Sequence, residues 1–343
     1  MIKAIIDPYG NILYKSFYIY ALQNVFGRRN VSFDTTPFSF LSDMNRKVGS
    51  IRFIIIENDV ITKYCIDFKD SNRIIEEIYD WCDVYGGVNI NFAKTPPEYH
   101  DKLVSLCPSF GINLYSFPEM VFQALRTISS FNPRDIKKHF GTYKRLYFGR
   151  LTYKDYEYDI PVRDNYVFFC STLWHNDEWN HNDEGVNCRR ANFIRACHEI
   201  KQVNFEGGFV SQGENRSSTE LFADCLCQPY SMKGWMENTK KSICVFNTPA
   251  FWDCHGWKLG EYLALGKAII STELSNDLPA PLVHGENIHF VGNSIEEMKE
   301  VVEYIFSHPS YREKLEKGAR QYWGRYGTPE KTLELLGIIN SNE

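Results

Sequence analysis

Asp253-Cys-His-Gly-Trp-Lys-Leu-Gly-Glu-Tyr-Leu-Ala-Leu-Gly-Lys-Ala-Ile-Ile-Ser271 reads as a loop, a short helix and a strand in succession. Leu259, Tyr262, Leu263 and Leu265 fall on one helical face, Gly266 is placed to close the helix, and Ala268-Ile-Ile270 is apolar throughout. A helix start presents unpaired N–H groups and partial positive charge, so the Gly256-Trp257 junction is a seat for a diphosphate that Gly256 lets come close to the backbone. Lys258, in the first turn, adds a point charge. Glu261, one turn further in, is suited to accept two hydrogen bonds from a ribose diol. His255 and Trp257 flank the glycine on the ligand side, and Asp253, on the loop ahead, falls nearer whatever the diphosphate carries.

Outward from this unit the chain keeps alternating strands and helices, the pattern of α/β layers around a mainly parallel sheet. In the N-terminal half, strands are expected at Ile2-Ile6, Ile51-Ile56, Val60-Phe68, Val88-Phe92 and Ile112-Tyr115. Helices are expected at Lys15-Phe26, Ser71-Val84 and Pro118-Ser129, the second with Ser71 as N-cap. A polar, tyrosine-rich passage from Asn132 to Arg163 separates this series from a second one that begins at Val167-Phe-Phe-Cys170. The second series continues with helix Asn187-Ile200, strand Gln202-Phe205, helices Ser217-Cys225 and Glu237-Ser242, and strand Ile243-Phe246. Ser294-Ile-Glu-Glu297 is a capping box that opens a helix stopped by His308-Pro309. A chain of 343 residues exceeds what one core usually supports. The expected division is residues 1–160, residues 161–325, and a tail helix at 326–343 that packs back on the first domain.

Composition narrows the partners. A net charge of −5 argues against a nucleic acid, whose binding rests on clustered Lys and Arg. No window holds the roughly 18 apolar residues of a spanning helix, so the protein is expected to be soluble or, at most, peripherally associated with a membrane. No secretory leader is read at Met1-Ile-Lys-Ala-Ile-Ile-Asp7, so the expected location is the cytoplasm or the inner face of the membrane. The ten cysteines read as reduced thiols, and Cys225-Leu-Cys227, Cys244 and Cys254-His255 lack zinc-site spacing. Asn30-Val-Ser32 and Asn215-Arg-Ser217 match the glycosylation sequon without a secretory context.

Further positive charge for a diphosphate is expected from Arg190 and Lys241. Thr172 follows the strand Val167-Cys170 at the carboxyl end, where α/β proteins collect ligands. By the same rule the turn Asp7-Pro-Tyr-Gly-Asn11 presents Asp7 and Tyr9 to a second substrate.

Asp253-x7-Glu261, with Lys258-Leu-Gly-Glu-Tyr-Leu-Ala-Leu-Gly-Lys-Ala-Ile-Ile-Ser271 around it, resembles the E-x7-E segment of glycosyltransferases of the GT-B fold. Asp253 stands where that family has its first Glu, and Ala268 where it usually has proline. The resemblance continues through His284-Gly-Glu-Asn-Ile-His-Phe290 and reaches about Leu336. It is nearest to bacterial enzymes of capsule and surface polysaccharide synthesis. It implies two Rossmann-like domains facing across a cleft, with a nucleoside-diphosphate sugar, UDP or GDP most readily, bound by the C-terminal one. The acceptor, a glycan or lipid-linked glycan, falls to the N-terminal one. Glu261 then holds the donor ribose, Asp253 contacts the transferred sugar, and transfer retains anomeric configuration. Neither cofactor nor metal is implied, and the sequence has no Asp-x-Asp. The competing readings are a nucleotide-sugar epimerase of the same fold and a non-catalytic two-domain ligand-binding protein.

Overall fold

The computed structural model describes residues 2–42, 49–131, 133–157, 160–175, 185–211 and 216–340. Asn215 of the second sequon, and residues 132, 158 and 159 of the tyrosine-rich passage, lie outside them. The chain divides into two units. One comprises Met1–Asp155, Asn276–Pro281 and Arg325–Glu343; the other comprises Tyr156–Ser275 and Leu282–Gly324.

Unit 1 begins with β1 (Ile2–Ile6), α1 (Ile12–Phe26) and β2 (Val31–Phe33), and Asn11 caps α1 by accepting from the Leu13 N–H at 3.1 Å. β3 (Ser50–Glu57) and β4 (Val60–Asp67) follow, then α2 (Glu76–Trp81), β5 (Val84–Gly87), β6 (Leu103–Ser105), α3 (Phe117–Arg126) and α4 (Ile136–Gly149). The six strands form one sheet in the order β2-β1-β3-β4-β5-β6. β3 runs antiparallel to both neighbours, and the other pairs are parallel.

The antiparallel strand departs from the expected parallel series. Its cause is local: Asn58 and Asp59 both take positive φ, 50° and 63°, and close a two-residue hairpin between β3 and β4. Three other expectations shift, the first being the strand expected at Val88-Phe92, which lies earlier, at Val84–Gly87. The helix expected from Ser71 starts at Glu76, because Ile74 and Ile75 pack against the sheet core and hold the chain out of helical register. Ile112-Tyr115 is buried yet unladdered: the Ile112 N–H donates to Ser16 Oγ at 2.9 Å and the Asn113 N–H to the Leu151 carbonyl at 2.7 Å, so its donors are met without a strand partner.

The late segments of unit 1 are pinned individually. The Asp277 N–H donates to the Ile90 carbonyl at 2.8 Å and its carboxylate accepts from the Phe92 N–H at 2.7 Å.

Unit 2 contains α5 (Lys154–Glu157) from Tyr156 on, β7 (Tyr166–Leu173), α6 (Val186–Glu199), β8 (Asn204–Ser211), α7 (Arg216–Leu221), α8 (Met232–Lys241) and β9 (Val245–Asn247). It continues with α9 (Trp257–Ala264), β10 (Ile269–Ser271), β11 (His289–Phe290), α10 (Ile295–Ser307) and α11 (Pro309–Tyr326), the last residues of which pass back to unit 1. In unit 1, α12 (Pro329–Leu335) packs on α1, where Asn24 Nδ2 donates to Glu330 Oε1 at 2.6 Å.

Every strand pair of unit 2 is parallel: β7 with β8, and β9-β10-β11. The Ile243 N–H donates to the Tyr166 carbonyl at 2.8 Å, which sets the chain entering β9 beside the start of β7. These strands form two sheets, β7-β8 and β9-β10-β11, and the core lies between them and the pair α6 and α10, with Phe193 stacked on Phe246 at 4.5 Å and Met298, Val302 and Ile305 fully buried. Ser294 accepts from the Glu297 N–H at 3.2 Å, the N-cap expected for α10. Gly207 and Gly208, at φ 120° and 134°, are required where β8 is squeezed: a Cβ on Gly208 would stand 2.3 Å from the Cys225 carbonyl oxygen.

Candidate functional site

Asp253 to Ser271 folds as a loop, α9 and β10, in the order its periodicity implies. The loop is tied at both ends. Asn247 Nδ2 donates to Ser271 Oγ at 2.9 Å, and Phe251 meets the Trp174 ring edge to face at 4.7 Å. Trp174 is in turn fixed by Asn187 at the start of α6, whose side chain exchanges bonds with its backbone N–H and carbonyl at 3.3 and 2.8 Å. Between these anchors Trp252 and Asp253 both adopt the left-handed region, at φ 49° and 59°. Such residues cost about 1–2 kcal/mol each, and Asp253 is exposed.

At the N-cap of α9, Gly256 supplies no capping side chain and the first turn contains no acid. A Cβ built there meets nothing within 4 Å, so the approach to the helix start is open. Its φ of −77° is ordinary, and the glycine matters for space alone. Trp257 is half-buried beside it and His255 is buried just before it.

Two cations converge behind this helix start. Lys258 Nζ donates to the Cys170 carbonyl of β7 and sits over the Phe169 ring at 4.7 Å from its centroid. Burial, with the like charge of Arg190, lowers its pKa from 10.5 to about 8, while Cys170 and Glu261 act in the opposite sense. Arg190, on α6, is 7% exposed; burial holds its pKa down to about 10, with Tyr262 and Cys254 opposing. Glu261 is 5% exposed and accepts from the Tyr156 hydroxyl at 3.0 Å. Buried charges are ordinarily paired. Two cations, Glu261 and the Cys170 thiol, whose pKa is lowered to about 7, therefore share this region, and the cations are the groups suited to an anion.

The structure thus gathers His255, Gly256, Trp257, Lys258, Glu261 and Arg190. Thr172, half-buried and paired with Val210, lies on β7 two residues beyond Cys170, toward its carboxyl end. Lys241 is not brought here. Its carbonyl accepts from the Arg163 N–H at 2.9 Å, ahead of the first residue of β7, at the opposite end of the strands. A helix that returns antiparallel to the sheet puts its last residue at the strands' amino ends, which its basic character alone does not reveal.

Asp7 and Tyr9, in unit 1, are engaged internally. Asp7, 1% exposed, takes Arg52 Nη2 at 2.7 Å and Nε at 3.0 Å on one oxygen and the Tyr9 N–H at 3.0 Å on the other. The Tyr9 ring stacks on Phe131 at 5.0 Å and its hydroxyl donates to Asp135 at 3.3 Å. Lys15 Nζ bonds both the Asp7 and the Tyr9 carbonyls beneath the turn.

Sequence reasoning missed Tyr156 and the thiol pair Cys170 and Cys227. Tyr156 had only its place in a tyrosine-rich run to mark it. Cys170 has its pKa depressed by a hydrogen bond from Cys227, with Lys258 contributing, and no sequence signal pairs two cysteines 57 positions apart. All ten cysteines are free thiols. Among the described residues no group of three or more His, Cys, Asp or Glu side chains could hold a metal ion, and no helix is long and apolar enough to cross a membrane.

No protein-family model matches the chain, and no curated protein matches it. Among solved structures it is similar to a glycosyltransferase from Rickettsia africae ESF-5, at 15% identity and TM-score 0.45, over 81% of this chain and 71% of that one. It is similar to Anabaena HepE in complex with UDP and glucose, at 12% identity and TM-score 0.46, over 80% and 71%. It is also similar to a Neisseria meningitidis UDP-GlcNAc 2-epimerase bound to UDP-GlcNAc, at 14% identity and TM-score 0.38, over 77% and 62%. Likeness this remote assigns no activity to the chain. What the chain itself displays is an α/β protein of two units, with a helix start that has no side-chain cap, backed by the buried Arg190, the half-buried Lys258 and the buried carboxylate of Glu261.

Proposed function

We propose that the protein is a glycosyltransferase that moves a sugar from a nucleoside-diphosphate carrier, UDP or GDP, to a glycan or lipid-linked acceptor in the cytoplasm. The observation that carries the reading is the convergence of Arg190 and Lys258 behind the open N-terminus of α9, one turn ahead of buried Glu261. Backbone N–H groups and the two cations suit the diphosphate, and stabilise it further as charge develops on the leaving group. Glu261, already oriented by Tyr156, suits the ribose diol.

Asp253 is assigned to the transferred sugar and to catalysis, supported by its place in the Asp253-x7-Glu261 segment and by its exposure on a strained turn. Retention of anomeric configuration belongs to the same reading. No metal is assigned, since the helix start and the cations supply the positive charge.

A thermal-shift screen against UDP, GDP, CMP and dTDP with their sugars tests the proposal, because a ligand that binds only the folded state raises its stability. One nucleoside diphosphate should shift the transition, and its sugar conjugate should be slowly hydrolysed. A binding protein would shift without hydrolysis. No shift with any of them overturns the reading.

A further inference from the structure

In unit 1, the two helices α3 and α4 lie side by side and antiparallel. The Phe117 ring meets Tyr147 at 5.7 Å at one end, and His139 Nε2 meets the Ala124 carbonyl at 3.0 Å at the other. α3 buries Met120 and Ala124 beneath it. The adjoining side is apolar as well: Phe117, Val121, Phe122 and Leu125 are 51, 37, 62 and 54% exposed. At about 100° per residue these four cover a continuous arc of about 140°, filled in by Pro118. Phe148 of α4, 66% exposed, extends the patch through Tyr147, whose ring it meets at 4.9 Å. Singly exposed apolar residues are ordinary, but five large ones on one adjoining surface mark an interaction site.

The charge around the patch has one sign. Lys137 and Lys144 share the outward side of α4 with Phe148, all three exposed, and Arg145 stands next to them. α4 contains no acid. The one acid of α3, Glu119, is held by Arg28 at 2.6 Å, and Asp135 ahead of α4 takes the Tyr9 hydroxyl. A partner for this face must offer an apolar interior beneath a negatively charged surface.

We infer that α3 and α4 dock the protein on an anionic lipid bilayer, with Phe117, Phe122, Leu125 and Phe148 entering the headgroup boundary and Lys137 and Lys144 against the lipid phosphates. This arrangement needs no spanning helix. It is independent of the sugar-nucleotide proposal, because vesicle binding requires no donor.

The test is co-sedimentation of the full chain with vesicles of phosphatidylcholine alone or mixed with phosphatidylglycerol. Wild type should pellet with the mixed vesicles and remain in solution with phosphatidylcholine alone. Binding should fall at about 1 M salt, where the Debye length is about 3 Å. Phe122→Ser with Leu125→Ser, and separately Lys137→Glu with Lys144→Glu, should each weaken it by about tenfold or more, with unfolding curves like that of wild type. The proposal is overturned if wild type does not pellet with anionic vesicles, or if both double variants pellet like wild type. It is equally overturned if wild type is an oligomer that the Phe122/Leu125 variant converts to monomer, since the patch would then belong to a second copy of the chain.

Discussion

Replacing Lys258 by Met keeps a straight aliphatic stem in place and removes only the charge, which separates what this residue does for folding from what it does for binding. Burial and the Arg190 charge lower its pKa from 10.5 to about 8, equivalent to about 3 kcal/mol against the ammonium in the folded protein. Losing the Phe169 ring contact and the bond to the Cys170 carbonyl costs about 1–2 kcal/mol in return. At neutral pH the unliganded variant should therefore be as stable as wild type or about 1–2 kcal/mol more so. The folded-state pKa lies below that of the unfolded chain, so the penalty is present in full below about pH 8 and is relieved as pH rises from about 8 to 10.5. Wild type should gain stability across that window by an increment absent from Lys258→Met, while Lys15 and Lys267, lowered to about 7 and about 8 by burial, contribute to both proteins alike. Binding should move the other way. The variant should bind the nucleoside diphosphate on the order of tenfold to a hundredfold more weakly near pH 7, from loss of about 1.5–3 kcal/mol. Wild-type affinity should fall above about pH 8, where the ammonium loses its proton. Urea unfolding across pH and calorimetric titration with UDP and GDP read both quantities. A variant destabilised by more than about 2 kcal/mol with unchanged affinity would refute the reasoning and make Lys258 a structural residue.

Three further outcomes follow from particular contacts. Arg52→Met strands the Asp7 carboxylate in the interior of unit 1, so it should lower stability by about 3–5 kcal/mol in urea unfolding while leaving nucleotide affinity in unit 2 unchanged. Gly208→Ala places a Cβ 2.3 Å from the Cys225 carbonyl oxygen at a φ of 134°, and should lower the thermal midpoint by an amount equivalent to more than about 2 kcal/mol. Burial, helped by the charge of His284, lowers the His289 pKa from 6.5 to about 4, so the stability it contributes as a neutral group is lost as pH falls from 6.5 through 4. His289→Gln should flatten the acid limb of the stability profile over that range.

The α/β alternation and the loop-helix-strand unit at Asp253-Ser271 were legible because apolar periodicity and the Gly256 and Gly266 punctuation are local. So was α10, marked by Ser294 and Glu297. The antiparallel β3 was legible in principle: Asn58-Asp59 between two apolar runs is a hairpin signal, outweighed by the parallel pattern around it. The return of residues 276–281 to unit 1 rests on Asp277 bonding Ile90 and Phe92, contacts that span some 185 positions and leave no periodic trace. At the site, Glu261 and Lys258 were marked by helical spacing, but Tyr156 as the partner of Glu261 and Arg190 as the like-charged neighbour of Lys258 are tertiary facts. Lys241 shows the converse: a basic residue before a strand says nothing of which end of the sheet it occupies.

The most direct test of the donor seat compares a nucleoside with its diphosphate on two variants. Calorimetric titration with uridine and UDP, or guanosine and GDP, should show Glu261→Ala weakening nucleoside and diphosphate alike, as loss of a ribose contact does. Arg190→Met should weaken only the diphosphate, each effect being about 1–3 kcal/mol. If both variants bind the diphosphate as tightly as wild type, α9 is a packed core helix and the diphosphate seat is not there.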